Sequence, residues 1–362
     1  VKPELLLVLH RGWSGGWQMS SGLDHVIGPQ GWGDGTLTEA EMVRYETEYH
    51  ERAAADMPVA YRSRPTTNRV LPGVQRRWSE AMERKGMRAD SMCLNTLEEI
   101  TWGRKFDWLP QDIGSCVASN TFRVWVQRAI AQIAARGDGE EYLGTAEFGP
   151  PSIAFYAPQT YGMARKRANM RGSDGLYCEP MAESLMKDGV LDCSTPKLLE
   201  LLRTLDADAA KMLPEPIGRP SLYRAFGNWE HIESLRQFCD SRLMASVKIN
   251  SVDEHLEASK QMKTAFMCSM IAIRKTGTHK DGFDVHARNP NDRWAHNMGW
   301  SGHFYDRSGN LFFILNNTSW GPKAMYNIPA EELDRWYKAK LPTTMTLEEI
   351  DMPDSPPLVV ID

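Results

Sequence analysis

Cys116 stands where a polar turn passes into an apolar segment, in the stretch QDIGSCVASNTFRVWVQRAI from Gln111 to Ile130. An unperturbed thiol ionises near pH ~8.5 and is a weak nucleophile at neutral pH; a helix N-terminus and a neighbouring imidazolium both lower that value. Its position gives Cys116 the first of these, and a histidine must supply the second. Nine histidines are available, and hairpin geometry chooses among them. WAHNMGWSGHF and LFFIL read as two strands joined by the turn YDRSGN. With the turn centred near Arg307 and Ser308, residues paired across the hairpin sum to roughly 615. His296 then lies opposite Ser319 with Asn317 within reach, whereas His303 would face Phe312. A catalytic imidazole needs a third group to fix its tautomer and ring orientation, and the Asn317 amide offers one. The Gln111 amide and the backbone N–H of Cys116 could donate to the oxyanion that thiolate attack on a carbonyl develops. Cys116, His296, Asn317 and Gln111 are therefore the expected catalytic residues of an acyl-transfer site.

The elements that must position these residues are legible in outline. Residues 116–135 read as a helix capped by Ser115, with Ala118, Phe122, Val126, Ala129 and Ile133 on one face and Gly137 and Gly139 at its end. Further helices are expected at 179–188, 196–212 and 229–241. Beyond Ala245 the pattern turns to strands: ASVKINSV alternates, CSMIAI is a compact apolar run, and the hairpin follows. Helices first and strands after predict an α+β arrangement of two packed halves. Residues 1–95, with the Gly/Trp-rich stretches RGWSGGW and GPQGWGDG, read as an N-terminal extension or arm, 96–335 as the domain, and 336–362 as an extended, Pro-rich, acidic tail. The basic cluster Arg165, Lys166, Arg167 and Arg171 reads as a solvated helix face. His279, His286 and His303 read as surface or loop residues, with no carboxylate or thiolate at metal-ligand spacing. Trp300 and Phe304 read as core.

With these residues in order, the chain resembles the papain-like cysteine peptidases. That family carries a glutamine shortly before Gly-Ser-Cys at a helix start, a histidine opening a late strand, and an asparagine just before Ser-Trp-Gly. Here these are Gln111, Gly114-Ser115-Cys116, His296, and Asn317 with Ser319-Trp320-Gly321; Met298 and Gly302 match the family's apolar and glycine positions after the histidine. The resemblance covers roughly residues 105 to 325. It implies a papain-like two-lobed α+β domain and cysteine-type peptidase activity. It also implies a substrate-binding strand at Gly172, Ser173, Asp174 and Gly175, and a shielding role for Trp320 over the His296–Asn317 bond. Neither metal nor cofactor is implied. The chain departs from the family in having one residue fewer between glutamine and cysteine, Val117 for a tryptophan, Ile113 for a disulfide cysteine, and Thr318 between Asn317 and Ser319.

Composition bounds the rest. A hydrophobic content of 42% and a charged content of 25% are those of an ordinary globular protein, and the net charge of -5 gives no general reason to bind nucleic acid. The run LLLVL at 5–9 is too short for a signal-peptide core or a membrane span, so no membrane partner and a cytoplasmic or assembly-associated location are expected. Six dispersed cysteines without a CxxC pair read as mostly free thiols in a reducing compartment. The expected partner is a peptide or protein substrate, with self-assembly or protein partners engaging the arm and tail. Gly12-x-Ser14-x-Gly16 has the form of a nucleophile elbow but too little chain before it to build one. A second expectation belongs to another class: a weakly active or inactive papain-fold structural subunit of a large assembly such as a virion, in which neighbours hold the otherwise disordered arms.

Overall fold

The computed structural model describes residues 88, 90–102, 114–136, 155–171, 174–191, 223, 226–229, 232–239, 241–293, 295–317 and 325–351. The chain enters through β1 (Met92–Cys93) and α1 (Leu94–Trp102), then α2 (Cys116–Arg136), α3 (Ala157–Arg167), α4 (Cys178–Lys187) and α5 (Ile232–Arg236). The second half holds β2 (Arg242–Ala245), β3 (Lys248–Ile249), α6 (Val252–Lys260), β4 (Thr264–Ser269), β5 (Ile273–Thr278) and β6 (Asp284–Arg288). It continues with β7 (His296–Tyr305), β8 (Leu311–Asn316), β9 (Met325–Pro329), α7 (Ala330–Lys338), β10 (Pro342–Leu347) and β11 (Glu349–Asp351). This is the helices-then-strands α+β order that the sequence predicts. The main sheet runs β3-β10-β4-β7-β8-β9 with β1 added beside β7, and its pairings are antiparallel. The helix expected at 196–212 lies outside the described residues. Of that expected at 229–241, Ile232–Arg236 is helical.

Strand β7 carries the architecture because both of its faces are covered. On one face α2 lies against it; on the other Met298 and Trp300 join Phe313, Leu315, Leu333 and Trp336 in a second core. Gly299 permits the close approach of α2: a Cβ there would stand 2.5 Å from Val124 Cγ1. The side-chain alternation changes phase at Gly302, a bulge with φ +125°. Gly299 pairs with Asn316 and Trp300 with Leu315, in the register expected from the sequence. Beyond the bulge the register slips by one, so His303 pairs with Phe313 instead of Phe312.

A Cβ on Gly302 would sit 1.9 Å from the Met92 carbonyl oxygen, in a backbone region that only glycine adopts freely. Gly302→Ala is therefore expected to destabilise the fold by about 3 kcal/mol, from backbone strain and displacement of β1 together. Gly282 has φ +91° but nothing within 4 Å of its Cβ position, so Gly282→Ala should cost only about 1 kcal/mol. Urea unfolding of the two variants separates strain from collision.

Four expectations are corrected by the structure. Helix α2 is buried on all sides from Cys116 to Gln132, not on one face. Its polar residues are satisfied inside: Arg128 Nε donates to the Glu348 carbonyl at 2.7 Å, and Gln132 exchanges hydrogen bonds of 2.9 and 2.7 Å with the Ile350 backbone. The same bonds show that the stretch read as a tail from 336 is partly structural. Strand β10 lies between β3 and β4, and β11 docks beside α2. The basic cluster is solvated only in part: Lys166 and Arg171 are exposed, but Arg165 is fully buried, donating to the carbonyls of Gly227 and Gly175, and Arg167 pairs with Asp188. Nor are all three histidines superficial. His303 is fully buried; its Nε2–H donates to the Asp90 carbonyl and its Nδ1 accepts from Ser259 Oγ at 2.7 Å.

Candidate active site

The turn Gly114-Ser115 delivers Cys116 as the first residue of α2, with the Ser115 carbonyl accepting the Ser119 N–H at 3.1 Å to start the helix. The sulfur is fully buried against the beginning of β7, where the Asn297 N–H approaches it, together with the N–H groups of Val117 and Cys116 itself. Asn120, one turn along the helix, locks that junction: its Nδ2 donates to the Asn297 carbonyl at 2.7 Å and to the Cys116 carbonyl at 3.1 Å. The nucleophile candidate therefore meets the chain at the residue following His296.

His296 opens β7, paired with Ser269 of β4, and its ring is fully buried. Its Nε2–H donates to Asn317 Oδ1 at 2.8 Å, with Asn317 placed one residue past the end of β8 and also fully buried. Because Nε2 holds the proton for Asn317, Nδ1 is the basic nitrogen of the neutral ring. Tyr326 of β9 sets its hydroxyl beside Asn317, and burial pushes that phenol up to about 12.

Burial governs the charge state of the pair. It pushes the Cys116 thiol up to about 12, with the nearby Cys268 adding to it, while the three backbone N–H groups pull the other way. It lowers His296 to about 4 against the opposing hydrogen bond to Asn317. At neutral pH the two groups thus rest as thiol and neutral imidazole, not as a thiolate–imidazolium pair.

Of the residues expected to bind substrate, Asp174 is partly buried and Gly175 is buried with φ +99°. The Gly175 N–H donates to the Tyr161 hydroxyl at 3.0 Å and its carbonyl accepts from Arg165 Nη1 at 2.5 Å. The Tyr161 hydroxyl also lies 3.5 Å from the Gly114 carbonyl, in the turn before Cys116. Tyr161 and Arg165 of α3 thus tie the irregular segment at Gly175 to the turn before Cys116. The sequence reading missed both, and their i, i+4 spacing gave no signal beyond helix. Gln111, Gly172, Ser173 and Trp320 lie outside the described residues.

His279 does gain carboxylates: Asp281, two residues on, and Asp306, brought in from the turn after β7. Its ligand atoms lie within 4.8 Å of those of Asp281 and Asp306. Hydrogen bonds close that group internally: His279 Nδ1 accepts the Asp281 N–H at 3.2 Å, and Asp306 holds Asn310 at 2.6 and 2.7 Å. Among the described residues no helix is long and apolar enough to cross a membrane.

No family model matches the chain, and no curated protein matches it in sequence. Among solved structures, it is similar to xylellain, a cysteine protease from Xylella fastidiosa, at 14% identity and a TM-score of 0.42, over 81% of this chain and 93% of that one. It is similar to the proform of the ragweed pollen allergen Amb a 11, a cysteine protease, at 13% identity and a TM-score of 0.39, over 86% and 77%. A procathepsin L2 from the larval midgut of Tenebrio molitor is similar at 10% identity and 0.39, over 86% and 94%.

Proposed function

We propose that the chain is a papain-like cysteine peptidase whose site is Cys116, His296, Asn317 and Gln111. The observation that supports it most is the bond of 2.8 Å from His296 to Asn317, beside a cysteine that begins a helix and is held against Asn297. In this reading Cys116 Sγ attacks the substrate carbonyl carbon as its proton passes to His296 Nδ1. Attack and proton transfer run together because neither group is ionised beforehand. The Cys116 N–H and the Gln111 amide take the oxyanion. The protonated Nδ1 then gives its proton to the leaving amine, and water, deprotonated by the same nitrogen, releases the acyl group.

One observation favours a second reading, a papain-fold subunit that has lost catalysis and serves an assembly. The Cys116 sulfur is fully buried, so a carbonyl reaches it only if the packing over it gives way.

A peptide electrophile directed at thiols separates the two. A peptidase should be labelled at Cys116 in the native protein at least ~100-fold faster than at its other cysteines, and His296→Ala should slow that labelling by about the same factor. Labelling of Cys116 only after unfolding, at the rate of the other thiols, would leave the structural reading in possession.

A further inference from the structure

Cys178 and Cys268 are 90 positions apart, both free and both buried, and their sulfurs approach to 2.7 Å. That is closer than the roughly 3.5–4.0 Å at which non-bonded heavy atoms rest, and longer than the ~2.05 Å of a disulfide. Cys178 begins α4, in the helical half; Cys268 lies near the end of β4, cross-strand from Thr343 on one side and Asn297 on the other. Their surroundings hold the pair in place. The Asn297 Nδ2 lies 3.5 Å from one sulfur and 3.4 Å from the other, and the Thr343 carbonyl is 3.6 Å from Cys178 Sγ.

We propose that Cys178 and Cys268 form a reversible disulfide that staples the helical half to the sheet immediately beside Cys116. The inference rests on this sulfur–sulfur geometry and stands whether or not Cys116 is a nucleophile. With hydrogen peroxide as oxidant, one thiolate attacks the O–O bond to give a sulfenic acid and release one water. The second thiol displaces the sulfenic oxygen as another water, forming the S–S bond. Two thiols lose two electrons and two protons, and one peroxide becomes two waters. Burial holds the Cys178 thiol well above its ordinary range, so the first step is slow and the bond, once made, is shielded from external thiols. Asn297 connects the staple to the site: its side chain faces the pair while its N–H faces the Cys116 sulfur. Closing a loop of this length constrains the unfolded chain strongly.

The test uses the full chain carrying Cys116→Ala, so that its thiol does not compete. After exposure to hydrogen peroxide, remaining thiols are alkylated in denaturant and the protein is digested. A peptide pair joined through Cys178 and Cys268, lighter by two hydrogens and split by dithiothreitol, is expected, with a Tm higher by ~10 °C than the reduced protein. Cys178→Ala and Cys268→Ala should each abolish the shift. Full alkylation of both cysteines after oxidation, a bond to a different cysteine, or an unchanged Tm in the oxidised protein overturns the proposal. The linked peptide is read on a chain with both residues intact and needs neither variant to fold.

Discussion

Replacing Arg123 by methionine is expected to cost 3–5 kcal/mol, of the order measured when one partner of a buried ion pair is removed. Arg123 and Glu98 have side chains 7% and 0% exposed, and Arg123 Nη1 donates to Glu98 Oε1 at 2.5 Å. The loss would not stay local. Asn95 Oδ1 accepts from Arg123 Nη2 at 3.1 Å, from Gln127 Nε2 at 2.6 Å and from Asn316 Nδ2 at 3.0 Å. Ser301 of β7 donates to Gln127 Oε1 at 2.6 Å and accepts from Asn316 Nδ2 at 2.5 Å. This buried network joins α1 and α2 to β7 and β8, and Asn316 immediately precedes Asn317. It therefore sets the distance between the helix that begins with Cys116 and the hairpin that carries His296. Urea unfolding reads the cost. The companion variant Arg123→Met with Glu98→Leu should recover more than half of it, because no buried charge is then left uncompensated. A single variant that loses less than about 1 kcal/mol would show that water reaches the pair.

None of this network is visible in the sequence, and the reason is physical. A helix is read by its apolar stripe, and Arg123, Gln127 and Arg128 interrupt the stripe of α2 as though they faced water. Their partners, Glu98, Asn95, Ser301 and Glu348, come from elsewhere in the chain, up to 220 positions away. What was legible depended on short-range rules. The start of α2 at Cys116 follows from a Ser115 cap and an uninterrupted helical run. The His296–Asn317 bond follows from counting across a hairpin. The count failed only past Gly302, where a bulge adds a residue that no propensity announces. Arg165 was misread because charge in a helical run signals solvent until a buried carbonyl, here that of Gly227, is found to accept it. The Cys178–Cys268 approach joins a helix start to a strand end, and neither carries a local mark.

Lowering the pH from about 7 to about 4.5 is expected to unfold the protein progressively through three buried neutral histidines. His255 is packed against Trp300 and Phe313 and hydrogen-bonded to the Tyr337 hydroxyl at 2.8 Å. Burial lowers it to about 3, helped by the nearby His303. Burial lowers His296 and His303 to about 4 each. In the unfolded chain each titrates near ~6.5. Between those values the unfolded state binds more protons than the folded one, so the stabilisation is complete above ~6.5 and is lost as pH falls toward 4. These three protons alone give a slope of up to about 4 kcal/mol per pH unit, and His286, also lowered by burial, acts in the same direction. Glu179 opposes this with a single group, since burial raises its carboxyl. Urea midpoints at about pH 7, 5.5 and 4.5 should fall steeply, and His255→Gln should reduce the slope by roughly a third. A midpoint that is flat across that range would mean that the three rings are hydrated. The same titration bears on the proposed chemistry. His296 remains an unprotonated base down to about pH 4, so the acid limb of any activity should coincide with unfolding, measured by loss of tertiary fluorescence, and not with protonation of the base in an intact site.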